Sequence, residues 1–254
     1  MPHGPGLSAT ANAATVTPYT SKADDPLSSH SQIVEMLAAA LAERVRPRIL
    51  DVGCGAALLA KAARWRAPDF AANAQWVAVD NDPGALAAAA HAGMETYRVD
   101  LNAPSPPPVA GTFDAVVFAD VLEHVAEPEA VLARWLPHVC TPETVVLVSL
   151  PNVANLAVRL QLLAGRFPYT ERGILDRTHL RFFTRRTAGE LLTKNGLRIV
   201  RTRTTPVPLS LLADGRIRRG LLAVLQHGLG GATALWPTLL GFQFVFEARY
   251  DARR

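Results

Sequence analysis

The hydrophobic positions of this chain fall into two alternating rhythms from residue 28 onward. Short apolar runs read as strands: Arg48-Ile49-Leu50-Asp51-Val52, Trp76-Val77-Ala78-Val79-Asp80, Thr96-Tyr97-Arg98-Val99, Phe113 to Asp120, and Thr144 to Leu150. Between them lie helix formers: Ala56 to Ala63 after the first run, an alanine-rich stretch opened by Pro83 after the second, and a stretch opened by Pro128 after the fourth. Ahead of the first strand, Ser28-Ser29-His30-Ser31 offers helix caps before Ile33, Val34, Met36, Leu37 and Leu41, which are spaced for one buried face, and Pro47 closes that helix. The fourth run is nearly continuous in apolar residues, as a parallel strand buried on both faces requires. Five strands alternating with helices predict an α/β fold with a doubly wound, mostly parallel sheet.

The rhythm also sets boundaries. Residues 1–24 are small and polar without periodicity and are expected to form a disordered tail, with a single domain over 25–250. Two stretches depart from the strand–helix pattern. Residues 152–184 begin with an apolar helix and continue into a segment dense in Arg, aromatic residues, Asp176 and His179, which suits a substrate-capping insert. Residues 206–240 form an apolar elaboration punctuated by glycines and preceded by Arg216, Arg218 and Arg219, suited either to lie against a membrane or to pack on the sheet edge.

Composition narrows the classes. Of 254 residues, 49% are hydrophobic and 19% charged, which supports a folded core. The net charge of +4 is small and no Lys/Arg block forms a nucleic-acid arm, so no nucleic-acid partner is expected. Cys54 and Cys140 offer neither a disulfide framework nor zinc-site spacing. No apolar leader core is visible, and no uninterrupted apolar run reaches the about 18 residues of a membrane span. A cytoplasmic location is expected, with peripheral membrane contact left open.

Chemistry concentrates at the end of the first strand. In Asp51-Val52-Gly53-Cys54-Gly55 the glycines let a ligand approach the backbone, and the helix that follows points unpaired N–H groups into the same crevice. A dinucleotide fingerprint needs a third glycine where this chain has Leu58. Asp51 would repel a pyrophosphate and favour a cationic group. Asp80, at the tip of the second strand, suits two ribose hydroxyls, a feature shared with NAD-binding folds, whereas Asp82 suits a helix cap.

With these residues the chain resembles the class I S-adenosylmethionine-dependent methyltransferases. Ile49 to Gly55 is similar to their first motif, with Ala57 where a further glycine is usual, and Val121-Leu122-Glu123-His124-Val125 is similar to their fourth. The insert resembles a variant among bacterial methyltransferases often found beside glycosyltransferases. The resemblance implies a seven-stranded Rossmann-like sheet, its last two strands, the final one antiparallel, supplied by Leu197–Arg201 and Phe242–Glu247. It implies S-adenosylmethionine as cofactor, held by Asp51, Gly53, Cys54, Gly55, Asp80, Asn81, Asp100, Leu101, Ala119 and Asp120. Ser29 and His30 either reach the cofactor's carboxylate or simply cap their helix.

Methyl transfer needs a base only when the nucleophile carries a proton. His179, with Asp176 beside it to orient the ring, and His124 are the candidates. A metal-free site is expected. The alternative is a cation held by Asp120, Glu123, His124 and His179, a spacing similar to that of ubiquinone-pathway O-methyltransferases and small-RNA end methyltransferases. Arg166, Arg172, Arg177 and Arg181 form either an anion clamp or a solvated rim. The expected activity is O-methylation of a small-molecule or glycan acceptor, with N- or C-methylation open. The rival readings are an NAD-dependent oxidoreductase and a non-catalytic S-adenosylmethionine-binding partner of a glycosyltransferase.

Overall fold

In a computed structural model, the structure describes residues 25–209 and 219–251. The expected tail, together with Arg216 and Arg218, lies outside the described residues. Seven strands form one sheet: β1 (Arg48–Val52), β2 (Gln75–Asp80), β3 (Glu95–Arg98), β4 (Ala115–Ala119), β5 (Val145–Pro151), β6 (Leu197–Thr205) and β7 (Gln243–Tyr250). Their order is β3-β2-β1-β4-β5-β7-β6. The first five are mutually parallel, and β7 runs antiparallel to both β5 and β6. The fold class read from the sequence is therefore the fold observed.

Alternation along β1 shows how the two layers form. Leu50 and Val52 point to one face, where Phe118, Val148 and the fully buried Trp135 pack with α5 (Pro128–Val139) and α7 (Arg185–Lys194). Ile49 points to the other face, against Ile33 and Leu37 of α1 (Ser29–Ala40) and Leu59 of α2 (Leu58–Arg66). Strands β4 and β5 are buried along their whole length, which accounts for their almost wholly apolar text. Two further helices, α3 (Pro68–Asn73) and α4 (Pro83–His91), flank β2. Ser28 caps α1 by accepting from the Ser31 amide, and Asp82 caps α4 by accepting from Gly84 and Ala85.

The two largest departures from the expected boundaries are in α1 and β6. Helix α1 ends at Ala40, well before Pro47. Strand β6 runs past Arg201 to Thr205, because Thr202 to Thr205 stay paired with Phe246 to Gln243 although their side chains carry no apolar alternation. After β5 comes α6 (Leu156–Leu163), then irregular chain to Thr184, which caps α7. The later elaboration contains α8 (Arg219–Leu235) and α9 (Pro237–Leu240). Among the described residues no helix is long and apolar enough to cross a membrane.

The sheet order reverses between β1 and β4. Their carboxyl ends therefore diverge into separate loops and leave the crevice in which open α/β sheets bind ligands.

Candidate active site

The turn after β1 is wound through left-handed backbone at Gly53, Gly55 and Ala57, with φ of 71°, 48° and 56°. The Gly53 and Cys54 amides both donate to the Val79 carbonyl, and the Gly55 amide donates to Asp80 Oδ2 at 2.9 Å. The two glycines do different work. A Cβ on Gly53 would lie 2.3 Å from Val121 Cγ2, so its hydrogen is what lets the turns after β1 and β4 close on each other. A Cβ on Gly55 would meet no atom within 4 Å, and its open side faces the crevice. Ala57 holds a conformation that costs an L-residue about 1–2 kcal/mol, at the position where the resembling motif has glycine.

Beneath this turn lies a strained electrostatic arrangement. Asp51 is buried, and its Oδ2 finds no hydrogen-bond partner among the described residues. Burial first, and the Asp80 carboxylate second, push its pKa up to about 7. Burial first, then Asp51 and Asp80, raise the Cys54 thiol far above its usual range, which keeps it a neutral packing group rather than a nucleophile. A cationic group at the turn would relieve both acids. Asp80 also accepts from the Asp82 amide, so both its oxygens are held in place while lone pairs remain for hydroxyl donors.

Across the crevice, Asp120 follows β4 in left-handed backbone at φ 57°. Its Oδ1 accepts from Ser149 Oγ and, at 2.9 Å, from Gln243 Nε2, while its amide donates to Ser149 Oγ at 3.0 Å. A short 3-10 turn (Leu122–His124) then presents Glu123 and His124. From the insert, His179 approaches edge to face, its ring centroid 4.8 Å from that of His124.

Both histidine tautomers follow from their partners. His179 Nδ1 lies 3.0 Å from the Ile174 carbonyl, which can only accept. His124 Nδ1 lies 3.2 Å from both the carbonyl and the hydroxyl of Thr178, and that hydroxyl already donates to Asp176 Oδ1 at 2.7 Å. Each Nδ1 is therefore a donor, and in the neutral ring the lone pair falls on Nε2. Burial, reinforced by His124, lowers the His179 pKa and holds the ring neutral. Burial opposes ionisation of Asp176, but the Thr178 amide and hydroxyl, with His179 and His124, outweigh it and keep the carboxyl below its usual range. The expected orientation of His179 by Asp176 is corrected here: the Ile174 carbonyl holds the ring, and the Asp176 side chain binds Thr178.

Glu123, His124 and His179 bring one ligand atom each to within 4.8 Å of one another, a donor set that can hold a metal ion. The fourth member of the sequence-derived set, Asp120, stands outside this group, its Oδ1 engaged with Ser149 and Gln243. The arginine clamp does not assemble either. Arg177 pairs with Glu171, Arg181 pairs with Glu127, and of the four only Arg172 lines the crevice.

One cavity of about 410 Å³ joins these parts. It brings together Gly53, Cys54, Gly55, Ala119, Asp120, His124 and His179, with Ser29 and His30 of α1 at one wall. Asp51 lies under its floor, and Asp80, Asn81, Asp100 and Leu101 lie beyond it, along the ends of β2 and β3. Asp100 accepts from the Asn102 amide, and Leu101 packs against the core. Sequence reasoning missed Ser149 and Gln243. Their signal was a polar residue inside an otherwise apolar strand, which must find a partner once buried.

A family described as "Methyltransferase domain" matches residues 29–202. A ubiquinone biosynthesis O-methyltransferase of Xanthomonas oryzae pv. oryzae (strain PXO99A) is 37% identical over 91 residues, 34% of this chain and 35% of that protein. The match thus spans about a third of the relative's length. Among solved structures, a SAM dependent methyltransferase from Archaeoglobus fulgidus superposes with a TM-score of 0.53 at 15% identity, over 87% of this chain and 95% of the other. A magnesium protoporphyrin IX methyltransferase from Synechocystis PCC 6803, solved with bound SAH, gives 0.53 at 18% identity, over 88% and 84%. At such identities these structures establish the shared fold.

Proposed function

The chain belongs to the methyltransferase-domain family, and from that premise we propose that it transfers a methyl group from S-adenosylmethionine to an oxygen of a small-molecule or glycan acceptor. One observation carries the reading: a single cavity runs from the glycine turn to His124 and His179, whose Nδ1 atoms both face main-chain carbonyls of the insert. S-adenosylmethionine supplies a methyl group on a positively charged sulfur. The residues present fit it. The open face of Gly55 leaves room at the backbone, Asp51 offers a buried carboxylate oxygen lacking a partner, and Asp80 offers ordered lone pairs for the ribose. Asn81, Asp100 and Leu101 flank the adenine end, Cys54, Ala119 and Asp120 the methionine end. The unit is one domain, residues 25–250, with 152–184 as its substrate cap.

His179 serves as base. His179 Nε2 would take the hydroxyl proton as the acceptor oxygen gains the methyl and the methyl–sulfur bond breaks, the sulfonium leaving as a neutral thioether; the other ring nitrogen is fixed by Ile174. Burial, with His124 packed against the ring, lowers the His179 pKa beforehand. The cavity walls contribute mainly by positioning the two reactants and excluding water. The O-methyltransferase activity named for the Xanthomonas relative supports an oxygen acceptor.

A second reading has its own observation. Glu123, His124 and His179 are close enough to share a divalent cation, which would lower the hydroxyl's pKa in place of a free base. Titration calorimetry tests the cofactor assignment: S-adenosylmethionine binds and NAD does not. Asp80→Ala weakens binding by about 1.5–3 kcal/mol, as for hydrogen bonds to a charged group. Binding of NAD instead would return the oxidoreductase reading. Cofactor binding without methylation of any hydroxyl acceptor would leave a non-catalytic partner.

A further inference from the structure

Helix α6 presents an apolar face that the fold leaves unused. Of its eight residues only Val158 is buried, while Leu156, Leu160, Leu162 and Leu163 expose 37, 56, 51 and 83% of their surface. Leu156, Leu160 and Leu163 fall at i, i+4 and i+7, one stripe of a helix. Phe167 and Tyr169, just beyond the helix, are also exposed. A leucine gains about 1.5–3 kcal/mol from full burial, and these four, 37 to 83% exposed, leave a large part of it unrealised. The stripe sits near the cavity. Asn155, which caps α6, donates through Nδ2 to the carbonyls of Leu240 and Gly241, so the helix starts beside α9 and its N-cap Trp236, itself 59% exposed. Both elements leave the end of the sheet where the cavity opens.

We propose that this α6 surface, with the aromatic loop after it, docks on an anionic lipid surface. Charge selects the occupant. Residues 152–170 contain two arginines, Arg159 and Arg166, and no acidic residue. Neither arginine takes part in an ion pair among the described residues. Leucine and aromatic side chains beside arginine form the composition that settles at the headgroup boundary, the apolar groups inserting and the guanidinium groups reaching phosphates. A second copy of the chain is disfavoured, since a two-fold contact through this short helix would bring arginine toward arginine.

The test is flotation of the full chain with vesicles of phosphatidylcholine, with and without phosphatidylglycerol. It reads no catalysis, so its outcome is independent of the methyltransferase reading. The protein is expected to float with the phosphatidylglycerol vesicles and to stay behind with phosphatidylcholine alone. Leu160→Asp/Leu163→Asp is expected to cut the floated fraction at least about tenfold with an unchanged circular dichroism spectrum, because both side chains already face solvent. Arg159→Glu/Arg166→Glu is expected to abolish the preference for the anionic lipid. Absence of flotation with either vesicle, flotation unaffected by the leucine substitutions, or equal binding to neutral vesicles would each overturn the proposal. So would a lipid-free dimer that Leu160→Asp/Leu163→Asp converts to monomer, since that would make the stripe an interface between copies.

Discussion

His124 and His179 meet edge to face at 4.8 Å, and each is held through Nδ1 by main chain of the insert, the Thr178 carbonyl for one and the Ile174 carbonyl for the other. A single loop thus sets both tautomers. The orientation of the pair depends on how residues 174–179 close over the end of β4.

The first prediction follows from that dependence. His179→Ala removes the proposed base and is expected to lower kcat by about 10²–10⁴-fold while leaving S-adenosylmethionine affinity within error of wild type. His124→Gln keeps a hydrogen-bonding side chain at the pair and is expected to cost less. Steady-state kinetics with cofactor titration separates the two parameters. A fully active His179→Ala enzyme would remove the base and the cation readings together.

The second prediction separates those two readings. If the site works without a metal, prolonged dialysis against EDTA leaves turnover unchanged. Activity lost to EDTA and regained with Mg²⁺ or Mn²⁺ would instead assign Glu123, His124 and His179 as ligands. One buried carboxylate with two imidazoles also suits Zn²⁺, so zinc belongs in the rescue series.

How much of this was legible beforehand depends on whether side-chain identity or main-chain placement did the work. The acids Asp51, Asp80 and Asp120, each at or next to the end of a strand, the caps at Ser28 and Asp82, and the buried run of β4 are written in residue types, and the structure bears them out to within a residue or two. The holder of His179 was not legible. Every residue carries a carbonyl, so nothing in the sequence favoured Ile174 over the carboxylate of Asp176. Gly53 was readable as a close approach, but its packing against Val121 was not, because only the fold brings the turns after β1 and β4 together.

A third prediction tests that distinction between the glycines. Gly53→Ala adds strain at positive φ and a clash with Val121, expected to destabilise by roughly 2–5 kcal/mol together. Val121→Ala in the same chain should recover part of this, a coupling that a thermal or urea melt reads directly. Gly55→Ala carries the strain alone, about 1–2 kcal/mol, yet is expected to impair cofactor binding more for its stability cost, since its methyl enters open cavity. Equal stability losses at the two positions, or a Gly55→Ala protein with normal affinity, would show that the turn does not cradle the cofactor.

The last prediction concerns Asp51, whose pKa burial and Asp80 raise to about 7 from the about 3.9 of a free aspartate. Between those values the native protein binds a proton that the unfolded chain has released. Stability therefore falls as pH rises from about 4 to about 7, and levels off above. Three pKa units correspond to a loss on the order of 4 kcal/mol across that window. Asp51→Asn removes the titration and is expected to melt above the wild type at pH 8, with the difference closing toward pH 4. The same change should weaken the binding of cationic S-adenosylmethionine, because the ionised carboxylate is what a positive group at the turn would neutralise. Wild-type affinity should in turn rise as pH passes through about 7, with proton release on binding visible by calorimetry in buffers of different ionisation enthalpy. The residue would then trade stability of the empty protein for ligand affinity. Melting curves of wild type and Asp51→Asn that stay parallel from pH 4 to pH 8 would mean that the acid is ionised throughout, and that the buried carboxyl is compensated by something other than a proton.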